Sequence, residues 1–139
     1  MNQHQAKIKS ENLTLIKEKL FSGKAALEES DLNYLFKQLE DELNETIRDK
    51  LISTDNELVK LWCEVFEVVS AGNFADSLMF SLDKEIFYKF GLFIHEEING
   101  NPANENLVLL IHEYLNIFRT SSLLKKYTKR KNGRIWFLI

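Results

Sequence analysis

The 139-residue chain holds a single cysteine, Cys63. That excludes an intramolecular disulfide framework and a cysteine-based zinc site. One proline and five glycines exclude collagen-like, linker-like and turn-dense all-β chains. The glycines never cluster into a phosphate-binding loop. No apolar run approaches the roughly 20 residues that cross a bilayer, and the polar opening Met1-Asn2-Gln3-His4-Gln5 has no secretion-signal core. No Asp or Glu follows Glu113. What is present is 45% hydrophobic, 12% aromatic and 28% charged, the make-up of one folded domain. The expectation is a single helical domain over 1–139 in the cytoplasm, with residues 1–9 flexible and 119–139 a basic and apolar C-terminal element.

The formal net charge of −3 hides an asymmetry. Arg119, Lys125, Lys126, Lys129, Arg130, Lys131 and Arg134 follow the last acid, which leaves eleven Lys and Arg against all 21 Asp and Glu in residues 1–118. A body of that sign speeds encounter with a basic partner and repels nucleic acid and anionic membrane. The tail does the reverse.

Helical periodicity covers most of the chain. Leu13, Ile16, Leu20 and Phe21 follow a candidate N-cap at Ser10, with Ser22-Gly23 as a stop. Leu32, Leu35, Leu39, Leu43, Ile47 and Leu51 form one stripe after Ser30 or Asp31. Thr54 and Glu57 match a capping box, opening a mostly enclosed helix with Leu58, Leu61, Trp62, Val65, Phe66, Val68 and Val69. Gly72-Asn73 ends it, a short segment around Phe74, Leu78 and Phe80 follows, and Asp83 caps a helix with Ile86, Phe87, Phe90, Phe93, Ile94 and Ile98 inward. Asn99-Gly100-Asn101-Pro102 is the strongest turn, with Pro102 placed in the first turn of the next helix. That helix, over 105–118, is apolar around most of its surface and reads as the central one.

The fold class is therefore all-α, with five to six helices in a compact bundle or in a short stack of the pairs 31–71 and 83–118. Asn132-Gly133 favours a hairpin turn before the β-forming run Ile135–Ile139. An extra helix is the alternative for this C-terminal element.

Catalytic groups are hard to find. The pairs His95-Glu96 and His112-Glu113 look like a metal motif, but neighbours on a helix point about 100° apart, and ligands there sit at i and i+3 or i+4. Cys63 lies beside Trp62 on an apolar face, where a thiol is neutral and inert. The expectation is a chain that is not an enzyme and uses no cofactor or metal. The acids are the better lead. Asp41, Glu42, Glu45 and Asp49 belong to the surface helix, and the like-charge pairs Asp41–Glu45 and Glu45–Asp49 at i and i+4 each cost a few tenths of a kcal/mol. A solvated helix face is the plain alternative. With Tyr34 and Tyr88 as aromatic anchors, these acids are the expected contact surface for a basic protein partner. The pattern resembles, in small size, acidity and missing catalytic machinery, an immunity or antitoxin-type inhibitor that occludes a nuclease toxin.

Two alternatives are a helical adaptor or scaffold domain and a nucleic-acid-associated regulator using Lys125, Lys126, Lys129, Arg130, Lys131 and Arg134. A basic β-turn followed by the aromatic strand at Trp136-Phe137 resembles the wing of a winged-helix DNA-binding domain. The helix before it carries only acidic charges, which the major groove repels.

Overall fold

The structure is a computed structural model. It describes the backbone of residues 3–22, 27–49, 56–121, 130–131 and 134–135, and the side chains of 8–21, 27–49 and 56–121. Six helices form the body: α1 (Gln3–Ser22), α2 (Glu29–Asp49), α3 (Asn56–Ala71), α4 (Ala75–Ser81), α5 (Lys84–Gly100) and α6 (Glu105–Thr120). Two-residue strands β1 (Arg130–Lys131) and β2 (Arg134–Ile135) pair antiparallel, Arg130 opposite Ile135 and Lys131 opposite Arg134.

The helices close into a ring in the order α1–α3–α6–α5–α2, and α2 returns to α1. Short α4 lies across α2, α6 and α3. The result is a compact bundle. The stack of hairpins is excluded because α2 packs on α5 and α4 while α3 packs on α6 and α1. The centre is α3, whose Leu58, Val59, Trp62, Val65, Phe66 and Val69 are fully buried. The expectation of a central 105–118 helix is corrected here: α6 leaves Val108 and Leu109 exposed. No helix among the described residues is long and apolar enough to cross a membrane.

Several helix ends follow from local chemistry. The Asp83 carboxylate accepts from Glu85 N at 2.9 Å, as expected of an N-cap. Asn104 caps α6 by accepting from Asn106 N and Leu107 N. Pro102 therefore lies in the turn before this helix and not in its first turn, because the polar Asn104 side chain satisfies orphan amides that a proline ring does not. Asp31 stands inside α2, where its carboxylate accepts from Glu28 N at 3.2 Å, the back-reaching half of a capping box. Asn73 closes α3 at φ 62°, the left-handed conformation that asparagine tolerates better than other side-chain-bearing residues. The Thr54 capping box lies outside the described residues.

The first helix begins at Gln3, not after Ser10. Residues 3–9 are thus helical where flexibility is expected, and Lys9 explains why. It continues the Leu13, Ile16 and Leu20 stripe backwards, is 7% exposed, and finds carboxylate partners on α2.

An aromatic cluster joins α3, α5 and α6. Trp62 lies 4.9 Å from Phe90, Phe87 stacks on Tyr114 at 4.5 Å, and Tyr114 meets Phe118 edge-on at 5.4 Å between ring centroids. The Tyr114 hydroxyl donates to the Phe87 carbonyl at 2.9 Å. Gly91, one turn on from Phe87, leaves the space for that ring.

Candidate functional site

The acidic residues of α2 divide into those the fold uses and those it presents. Glu42 falls seven residues after Leu35 and three after Leu39, on the buried face, and is 6% exposed. Lys9 Nζ of α1 lies 3.0 Å from Glu42 Oε2 and 2.6 Å from Glu45 Oε2, while Asn12 donates to Glu42 Oε1 at 2.9 Å. Burial works against the Lys9 charge. Hydrogen bonds to Glu45 and Glu42 outweigh it and hold the ammonium pKa above its ordinary value. Glu42 and Glu45 are thus tied up in a clamp between α1 and α2, because each charge on the inner face of one helix needs an opposite charge on the other.

Asp49 pairs with its neighbour Arg48 through two bonds of 3.0 Å, and the guanidinium holds its carboxyl below the usual carboxylate range. Asp41 is exposed and has no ion pair or hydrogen bond among the described residues. It lines a shallow cleft of about 270 Å³ with Asn12, Leu15, Lys19, Gln38 and the clamp carboxylates. Tyr34, on the outer side of α2, is 64% exposed. Tyr88 is half-buried on α5, its ring stacked on Phe118 at 6.2 Å and 17°. The structure thus brings Asp41, Glu42 and Glu45 together at the α1–α2 seam and sets Tyr88 among the aromatics of α6. Lys125, Lys126 and Lys129 lie outside the described residues, as do the side chains of Arg130, Lys131 and Arg134.

The charge asymmetry persists in space. Among the described side chains, 20 Asp and Glu stand against nine Lys and Arg. Exposed acids occur on five of the six helices: Glu11 and Glu18 on α1, Asp41 on α2, Glu64 and Glu67 on α3, Glu85 and Glu96 on α5, Glu105 on α6. Only α4 differs, with Asp76 half-buried.

A second concavity was not anticipated from the sequence. A groove of about 720 Å³ opens between the C-terminal ends of α1 and α3, with an apolar floor of Leu20, Phe21, Val68, Ala71 and Phe74. Glu18, Glu64, Glu67 and Lys17 stand around it, and Lys17 pairs with Glu64 at 2.8 Å. Phe21 is 77% exposed.

Among the described residues no three His, Cys, Asp or Glu gather closely enough to hold a metal ion. His95 and His112 are both exposed. Cys63 is buried, its thiol 3.8 Å from the Asn106 carbonyl. Burial, and then the charges of Glu113 and Glu64, push that thiol up to about 12. A thiol reagent at about pH 8 should therefore label the native chain about 10³-fold more slowly than the urea-unfolded chain. Similar rates would contradict the burial. The sign for stability follows from the same shift. With the thiol near 9 when unfolded, the native state retains the proton longer. This contribution is complete below about pH 9 and is lost as pH rises toward about 12.

Compared with protein-family models, curated proteins and solved structures, the chain matches none.

Proposed function

We propose that this chain is a non-enzymatic protein-binding protein, an acidic inhibitor of the immunity or antitoxin type that occludes a basic partner such as a nuclease toxin. One observation carries the reading: the folded body presents exposed carboxylates on five of its six helices, and residues 1–118 hold 21 Asp and Glu against eleven Lys and Arg. A uniformly negative body attracts a cationic surface from beyond contact distance and raises its association rate, by between about ten and 10³-fold at low salt.

The contact itself is assigned to the outer side of α2, where Tyr34 offers an exposed aromatic ring and Asp41 an uncommitted carboxylate. Glu42 and Glu45 contribute field but not contact, since Lys9 occupies them. Aromatic side chains of this kind dominate binding energy where they become fully desolvated.

The test uses the protein retained by the immobilised chain from an extract of its own cells. Asp41→Lys combined with Asn44→Lys changes two exposed positions of α2 and leaves the core untouched. That variant should associate at least about fivefold more slowly, with its dissociation rate much less affected. An association rate equal to that of the unmodified chain would overturn the assignment.

A further inference from the structure

We infer that the groove between the C-terminal ends of α1 and α3 is filled by this chain's own segment Ile135–Ile139, which returns from the end of α6 and closes the groove to other polypeptides. This packing is independent of the partner-binding reading and follows from where the chain leaves the body.

The groove is an apolar acceptor. Leu20, Phe21, Val68, Ala71 and Phe74 form its floor, and its volume of about 720 Å³ is that of pockets that enclose a sizeable apolar group. Phe21 is 77% exposed, and covering its ring removes apolar surface from water. Phe74 is fixed from α3: its amide donates to the Val69 carbonyl at 2.9 Å, and Gly72 leaves room for its ring.

Helix α6 delivers the chain to the same end of the body. Its C-cap Ser121 donates through Oγ to Asp76 Oδ1 at 2.8 Å, and Asp76 follows the floor residue Phe74 by two positions. Thirteen residues, 122–134, separate this exit from Ile135. Fully extended they would span about 45 Å, far more than the step to the groove, so a chain that fills it has to double back. The antiparallel pairing of β1 with β2 is such a reversal, with Arg130 opposite Ile135 and Lys131 opposite Arg134.

The segment itself calls for cover. Ile135-Trp136-Phe137-Leu138-Ile139 is five consecutive apolar residues. A two-stranded ribbon is at best marginally stable in water by itself, and an apolar strand left in solvent is a template for association. Packing into the groove meets both demands and buries the exposed Phe21 ring at the same time. The short tether from Ser121 decides between this segment and any other. It holds the segment at an effective concentration in the mM range, which a second copy or a free polypeptide does not match at ordinary dilution.

The test is the labelling rate of a thiol placed in the groove by Ala71→Cys, a small change at an exposed position of the floor, with N-ethylmaleimide on the full chain. Cys63 stays silent because it is buried. The introduced thiol should react at least about tenfold faster when Trp136→Ser, Phe137→Ser and Leu138→Ser together remove the apolar segment. Phe21→Ser, at an exposed position, should accelerate it at least about threefold by weakening the same contact. Both changes together should do no more than the segment change alone, because they act through one interaction. A thiol introduced instead by Leu92→Cys, exposed on α5 and outside the groove lining, should react within about twofold of one rate with or without the segment. Protection at Ala71→Cys should be equal at about 1 µM and about 100 µM chain. Equal rates at Ala71→Cys with and without the apolar segment would overturn the assignment, as would effects of Phe21→Ser and the segment change that multiply. Equal acceleration at Leu92→Cys would place the segment elsewhere. Protection that grows with concentration would give the groove to a second copy, and either result removes the assignment.

Discussion

Replacing Lys9 by methionine is expected to destabilise the fold by about 3 kcal/mol, because removing one partner of a buried ion pair strands the other. Glu42 is the stranded group: its side chain is 8% exposed, and among the described residues Asn12 alone is left to donate to it. Glu45 loses less, since its side chain is 36% exposed and can be hydrated. The decisive comparison is the double variant Lys9→Met/Glu42→Leu, which fills the same seam with apolar groups. It should recover most of the loss, because a buried pair exchanged for well-packed hydrophobes is close to neutral. Urea unfolding of the three chains checks this. A double variant as unstable as the single one would show that the clamp acts by something other than paired burial.

Replacing Gly91 by alanine should lower stability by about 2 kcal/mol, although alanine is the better helix former by about 1 kcal/mol. An added Cβ would sit 2.5 Å from the Tyr114 hydroxyl oxygen and 2.6 Å from its Cζ. The ring has nowhere to retreat, being stacked on Phe87 at 4.5 Å and bounded by Phe118 at 5.4 Å and Phe66 at 6.2 Å. Displacement also strains the bond from the hydroxyl to the Phe87 carbonyl, worth about 1 kcal/mol. Overpacking and the lost bond together exceed the propensity gain. Gly100→Ala supplies the contrast, since a Cβ there meets nothing within 4 Å. It should leave thermal stability unchanged or slightly raised. A Gly91→Ala chain at least as stable as the unmodified one would contradict the packing of α5 on α6.

The fold was largely legible because its signals are local. Leu35, Leu39 and Leu43, like Phe87, Phe90 and Ile94, repeat at helical spacing and are all fully buried or nearly so. What escaped was the pairing of helices. The length and apolar girth of residues 105–118 resemble those of α3, and only the packing of α1 on α3 decides which of the two is enclosed.

The buried clamp is legible in the sequence by azimuth. Lys9 continues the spacing of Leu13, Ile16 and Leu20, and Glu42 shares the face of Leu35 and Leu39. A cation in one apolar stripe and an anion in the next is the signature of a charge pair between consecutive helices. Glu42 stands beside Asp41 and near Glu45 in sequence, and that run of acids masks its inward azimuth. The α1–α3 groove had no such signal. Its lining comes from residues 17–21 and 64–74, and each segment by itself reads as an ordinary helix end.

The most direct test of a body that works by attracting a cationic protein is the ionic-strength dependence of association. Stopped-flow mixing of the intact chain with the partner from its own cells should show a rate falling at least about tenfold between about 20 mM and about 300 mM salt. The dissociation rate should change much less. An association rate constant across that range would contradict the account.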